Sequence, residues 1–202
     1  MLKRKEILIM GNGRSVLEQS LGTRIDDFST IGRINNFSIN NFSEFIGNKT
    51  NIWFNGANQH LKKQKSVPNE VIVFIPPEIL RRKKTTIHKR IVKRLNIEMN
   101  KYSLIPLETM ENYEKITGIK RLTTGTASIL WAIDNFETVV IYGFDFFIES
   151  KAHYNDNFIV KWLTELGINR KGKKHDMVKE KLFINKLIKE KKVVQLTDYL
   201  LK

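Results

Sequence analysis

Four histidines, at positions 60, 88, 153 and 175, are the side chains of this sequence best suited to exchange a proton near neutral pH. His175 stands just ahead of a helical pattern that runs to about residue 189. The run Lys173, Lys174, His175 reads equally well as an ordinary basic surface. His88 falls within a strongly basic segment. The second source of chemistry is residues 6–15, EILIMGNGRS, in which an apolar run meets Gly11, Asn12, Gly13 and then Ser15. That is the pattern of a buried strand, a glycine turn and a helix start with Ser15 as its cap. Such a turn brings backbone N–H groups and the positive end of a helix to the carboxyl edge of a sheet, where phosphates and nucleotides bind. A tight strand-to-helix connection uses the same glycines without any ligand. A second turn of this kind, Thr123, Thr124, Gly125 and Thr126, precedes a helix and offers hydroxyl and N–H donors to an anion. Helix capping accounts for one of those threonines.

The elements that must position these groups alternate between strand and helix patterns. Strands are expected over residues 7–10, 29–34, 51–55, 71–75 and 138–142, the last leading into Gly143, Phe144 and Asp145. Several are continuous apolar runs, as in a parallel sheet covered on both faces. A short strand or extended link is expected over 102–107. Asn12, Asn35 and Asn55 fall where a strand hands over to its loop, the side on which ligands collect. An asparagine there also closes an Asx turn unaided. Residues 79–101 read as an amphipathic helix with Ile87, Ile91, Leu95 and Met99 on its inner stripe and cations outside. A short helix over 109–117 ends at Gly118, and residues 148–174 read as a mobile lid or a passive surface loop.

Composition bounds the rest. With 202 residues and 41% hydrophobic content, the chain suits one domain over 1–202 with the lid embedded in it. It has no cysteine, which excludes a thiol nucleophile, a disulfide framework and a cysteine zinc site. The basic start and the short apolar run after it are too brief for a signal peptide or a membrane span, so a soluble cytoplasmic protein is expected. The net charge of +14 favours an anionic partner or simply solubility. The cations Arg81, Arg82, Lys83, Lys84, Lys89, Arg90, Lys93 and Arg94 form either a peripheral contact with an anionic membrane or a solvated face. No aromatic residues interleave with them as in a single-strand groove, so no specific nucleic acid is expected.

The motifs carry a resemblance. GNGRS, followed by Arg33, Ile34, Asn35 and then residues 47–53 (GNKTNIW), resembles the large sialyl motif of glycosyltransferase family 29, the sialyltransferases. Residues 121–145 resemble the small motif, His153 and Tyr154 the third, and His175 with Glu180 the very small one; all four come in the family's order. The bacterial family 42 enzymes share the GNG turn and the strand-end Asn. Two departures stand out: the large and small motifs have no cysteines to join them, and Thr123-Thr124-Gly125 replaces a usual Ser-Thr-Gly.

The resemblance implies an α/β fold, a single Rossmann-like domain with a mostly parallel twisted sheet between helix layers (a GT-A-like variant). It implies an inverting, metal-independent transfer of sialic acid, or a related nonulosonic acid, from a CMP-sialic acid donor to a glycan acceptor such as lipooligosaccharide or capsule, with no cofactor. His175 is implied as the general base, with His153 and Tyr154 hydrogen-bonding the leaving phosphate. Asn12, Gly13, Ser15, Asn35, Asn55 and Gly143 would line the donor site. Thr123, Thr124 and Gly125 would receive the sugar carboxylate, with Asp145 and Glu180 as support. Glu180, five positions from His175, is about 140° round a helix from it and is expected to brace the turn or the lid. The alternatives are a CMP-Kdo transferase, a diphosphokinase relative sharing the GNG turn, and a non-catalytic polyanion-binding protein.

Overall fold

The computed structural model describes residues 2–59, 61, 64, 66–83, 85–145, 154 and 175–201. Its strands are β1 (Arg4–Met10), β2 (Ile31–Ile34), β3 (Ile52–Asn55), β4 (Glu70–Val73), β5 (Ser103–Leu104), β6 (Phe136–Tyr142) and β7 (Val194–Gln195). They form one sheet in the order β5-β4-β3-β2-β1-β6-β7, and every adjacent pair is parallel. This is the expected α/β, Rossmann-like architecture.

Sequence explains why β1 is central. Ile7 and Ile9 point into the core on one face of the sheet, and Leu8 and Met10 into the core on the other. A strand covered on both sides has no polar face, hence the unbroken run. Each of these four buried side chains contributes about 1.5–3 kcal/mol by leaving water. The first core is roofed by α3 (Pro77–Arg82), α4 (Ile87–Leu95), α5 (Leu107–Thr117), α6 (Thr124–Asn135) and α7 (Met177–Lys189). The second is roofed by α1 (Gly22–Asp26), α2 (Ser43–Ile46) and α8 (Leu196–Leu200).

From β1 the strand order steps outward through β2, β3, β4 and β5, then resumes on the other side of β1 with β6 and β7. The order therefore reverses between β1 and β6, the position where open parallel sheets bind ligands. These two strands pair from Arg4 opposite Phe136 to Met10 opposite Tyr142.

Several local expectations change. The helix expected after the glycine turn is two short pieces, a 3-10 turn (Arg14–Leu17) and α1. Ser15 caps neither, because a carboxylate on the β6 side holds it. The second strand begins at Ile31 rather than Ser29. The single basic helix is two, α3 and α4, and α4 ends where Asn96 turns left-handed at φ 57°. Ile87, Ile91 and Leu95 are buried as expected, but Met99 lies past that stop and is 64% exposed. Helix α5 starts two residues early and ends at Gly118, in the left-handed region at φ 68°. Among the described residues no helix is long and apolar enough to cross a membrane. The expected lid at 148–174, apart from Tyr154, lies outside the described residues, as do His60, Lys84 and His153.

Candidate functional site

Because all the strands run one way, the loops after β1, β2, β3 and β6 share one edge of the sheet. The β1 and β6 turns meet backbone to backbone: Gly11 N donates to Tyr142 O at 2.7 Å and Gly13 N to Gly143 O at 2.9 Å. A Cβ at Gly11 would sit 2.1 Å from the Gly143 carbonyl oxygen, so the approach requires glycine. Gly143 has φ 75°, and a Cβ there would lie 2.3 Å from Val16 Cγ1.

Asp145 joins the two turns. Ser15 donates to it from Oγ at 2.5 Å and from its backbone N at 3.2 Å. Three asparagines follow along the edge, two linking neighbouring loops and the third closing its own. Asn12 Nδ2 donates to Ile34 O at 2.8 Å. Asn35, at φ 48°, accepts from Gly56 N at Oδ1 and from Trp53 Nε1 at its carbonyl. Asn55 Oδ1 accepts from Ala57 N at 2.6 Å, while its Nδ2 is buried with no hydrogen-bond partner. An orphaned buried donor is uncommon, and this one lies at the ligand edge.

The second anion-friendly turn opens α6. Thr123 is its cap, accepting from Thr126 N at 3.2 Å. The first intrahelical bond runs from Ala127 N to Thr123 O, so the four N–H groups the helix leaves open are those of Thr123 to Thr126. That of Thr126 goes to Thr123 Oγ1, and the next two belong to Thr124 and Gly125. Thr123 itself is committed elsewhere: its N–H donates to Glu180 Oε1 at 3.0 Å and its hydroxyl to Glu180 Oε2 at 2.6 Å. Thr126 Oγ1 makes a third hydrogen bond to the same carboxylate. Glu180 is fully buried, and a carboxylate there is favoured by the positive end of α6. The expectation that Thr123 faces a substrate carboxylate is therefore corrected, since the protein's own carboxylate holds it. Glu180, expected to brace the turn or the lid, holds the start of α6.

His175 docks beside this joint. Its Nδ1 lies 2.6 Å from the carbonyl oxygen of Arg121. A carbonyl only accepts, so Nδ1 carries a proton, and in the neutral imidazole Nε2 is the nitrogen with the lone pair. His175 and Glu180 thus grip the segment before α6 at its two ends. His175 also lines an open cleft of about 790 Å³ with Gly118, Ile119, Lys120, Asp176 and Met177.

Tyr154 behaves differently from expectation. Its ring is buried edge-on against Phe42, and its hydroxyl donates to Ser38 O at 2.9 Å and accepts from Ser38 N at 3.0 Å. Burial pushes its pKa up, with Ser38 and Arg33 opposing. Those bonds hold the loop after β2, and the hydroxyl is not presented to a leaving phosphate. Its backbone N donates to Asn12 O, tying it to the glycine turn.

Arg33 was named only as part of a motif, yet it organises the loop before β3. It is 1% exposed. Its guanidinium donates to the carbonyls of Ile46, Gly47 and Lys49 and to Thr50 Oγ1. Burial lowers its pKa to about 10, and the nearby Tyr154 and Asp26 oppose that. An arginine inside the strand run IGRI was the signal that could have found it. Among the described residues no cluster of three His, Asp or Glu side chains could hold a metal ion.

Against this geometry, the model of glycosyltransferase family 29 (sialyltransferase) matches residues 3–192. The type 2 lactosamine alpha-2,3-sialyltransferases of Mus musculus and Rattus norvegicus are 27% and 26% identical to it over 96% of this chain. The chain spans about 65% of the length of those relatives. A crystal structure of a mammalian sialyltransferase in complex with Gal-beta-1-3GalNAc-ortho-nitrophenol superposes with a TM-score of 0.68 at 15% identity, covering 96% of this chain and 69% of that one. A second mammalian sialyltransferase structure matches with the same score at 16% identity.

Proposed function

The chain belongs to glycosyltransferase family 29, the sialyltransferases, and from that premise we propose that it transfers sialic acid, or a related nonulosonic acid, from a CMP-linked donor to a glycan hydroxyl. The transfer inverts the anomeric centre and uses neither metal nor cofactor. The anomeric carbon of such a donor is tertiary and bears a carboxylate. The bond to the phosphate oxygen breaks through an oxocarbenium-like state as the acceptor oxygen attacks from the opposite face. Cytidine monophosphate leaves, and the acceptor's proton passes to His175 Nε2.

The observation that carries this reading is the contact between His175 Nδ1 and Arg121 O, which in the neutral imidazole makes Nε2 the proton acceptor. That contact supports the tautomer and ring orientation a base needs. In this reading Asn12, Gly13, Ser15, Asn35 and Asn55 line the donor crevice above the β1 and β6 turns. The unpaired Asn55 Nδ2 is the natural donor to a ligand oxygen. Thr124 and Gly125 offer their N–H groups to the sugar carboxylate, with Thr123 holding the helix start. Gly143 and Asp145 fix the two turns against each other. Tyr154 positions the Ser38 loop, and His153 is the remaining candidate partner for the leaving phosphate. The acceptor is proposed as a galactoside, the class named for the mammalian relatives.

The test is transfer to a lactosamine acceptor from CMP-sialic acid, with CMP-Kdo in parallel, by wild type, His175→Ala and His175→Gln. Removing a general base lowers kcat by roughly 10²–10⁴-fold. The fold, followed by circular dichroism and thermal unfolding, is retained in at least one variant. Undiminished transfer in both folded variants overturns the assignment.

A further inference from the structure

We propose that Arg82, Arg90, Arg94 and Arg121 form a binding site for a phosphate or carboxylate group that the acceptor carries beside its reacting hydroxyl. The inference rests on the reading of His175 as the base, because a base marks the acceptor side of a transferase site. Arg121 links the two. Its carbonyl holds the imidazole, and its guanidinium pairs with Glu78 in the first turn of α3. Arg82 lies one turn further along α3, on the same face as Glu78. Arg90 and Arg94 lie one turn apart on α4, and Arg94 Nη1 donates to Ala57 O at 2.6 Å, two residues beyond β3. The four arginines therefore span from the candidate base to the loop that carries Asn55.

The cluster holds more cation than the protein neutralises. Among the described residues Glu78 is the one carboxylate paired with any of the four guanidinium groups. Glu114 accepts from the backbone N–H of Arg121. The Nε atoms of Arg90 and Arg121 are also buried and have no hydrogen-bond partner. Buried donors are nearly always met. An anion's oxygens would meet these, and the fork of a guanidinium fits phosphate or carboxylate two atoms at a time. Burial and then its neighbours Arg94, Arg82 and Arg121 lower the pKa of Arg90, as in a site built for a missing counter-charge. The site adjoins the donor crevice at the end of β3, where Arg94 meets the Ala57 carbonyl two residues beyond Asn55. From there it extends over α3 and α4, away from the β1 and β6 turns.

The experiment compares two galactosides that differ only in a phosphate monoester on the neighbouring sugar. Wild type, Arg90→Gln and the exposed Arg82→Gln are assayed for transfer, and binding of each galactoside is followed by calorimetry. The expected result is a kcat/KM for the phosphorylated acceptor roughly ten- to hundred-fold above the neutral one, the worth of one charge-assisted hydrogen bond. Either variant removes that margin through KM and leaves the neutral acceptor and the donor KM unchanged. Equal use of both acceptors by wild type overturns the proposal, as does a margin that survives in both variants. A rise in donor KM alone overturns it by placing the arginines on the donor. Loss of binding only to phosphatidylserine-containing vesicles, with no discrimination between soluble acceptors, overturns it in favour of a membrane contact. Binding of the phosphorylated galactoside that weakens at least tenfold in Arg90→Gln, without transfer by any protein, supports the anion site and removes the transferase reading.

Discussion

Replacing Glu180 by alanine removes the acceptor for three donors at the start of α6: the N–H and hydroxyl of Thr123 and the hydroxyl of Thr126. The two hydroxyls have an alternative, since they already lie 3.3 Å apart and can bond each other. The Thr123 N–H has none, and leaving it buried costs about 1–3 kcal/mol. Loss of a negative charge at a partly enclosed helix N-terminus adds up to about 2 kcal/mol. Returning the carboxylate to water in the unfolded chain no longer opposes folding, which offsets part of this. The expected loss is about 3 kcal/mol. Glu180→Gln keeps an oxygen for the Thr123 N–H and offers its amide to hydroxyls that can turn to accept, so about 1–2 kcal/mol is expected. Urea unfolding followed by tryptophan fluorescence measures both. The same joint carries His175, so kcat falls further in the alanine variant than in the glutamine one. Equal stabilities for the two variants, or an alanine loss below about 1 kcal/mol, refute the reasoning.

Asp145→Ala and Ser15→Ala each break the seam between the β1 and β6 turns and cost about 1.5–3 kcal/mol, while the double variant costs little more than either; a denaturation cycle that finds simple additivity counts against the seam. Gly143→Ala meets both a φ of 75° and a 2.3 Å clash with Val16; it destabilises by about 1–3 kcal/mol, and an unchanged midpoint contradicts this. Burial raises the pKa of Tyr154, and burial followed by the Asp134 hydrogen bond raises that of Tyr113. The folded protein therefore keeps these phenolic protons to higher pH than the unfolded chain does. That stability is intact below pH about 10 and declines above it, by up to about 1.4 kcal/mol per pH unit for each tyrosine. Tyr113→Phe flattens that alkaline decline in pH-dependent urea unfolding; an unaltered slope removes the explanation.

What the sequence disclosed follows from how local each feature is. The run at Ile7 to Met10 announces a doubly covered strand because both faces are written in consecutive residues. The glycine turn and the Gly118 stop are likewise local signals. β7 was invisible because a two-residue strand has no period to read. The break between α3 and α4 was hidden because Leu80 and Ile87 stand seven apart, the span of two helical turns, with only cations and threonines between them to mark it. At the site, residue types pointed to His175 and to the asparagines. They did not reveal that Glu180 would reach back 57 positions to Thr123, or that Tyr154 would spend its hydroxyl on Ser38. Those partners are chosen by the docking of α7 and by the second core. Arg33 was overlooked because a charge within a strand reads as surface until the loop it binds is known to cover it.

The central pairing of β1 with β6 joins segments made far apart in time. During synthesis β1 emerges early and finds β2 soon after, but its other side waits for Phe136–Tyr142. At about 5–20 residues per second that interval is roughly 6–25 s. Throughout it, the nascent chain presents an apolar strand with one open edge, a template for other chains. The ribosome-bound intermediate is thus the species most in need of a holding chaperone, and a stall before residue 136 is more dangerous to this protein than one after 142.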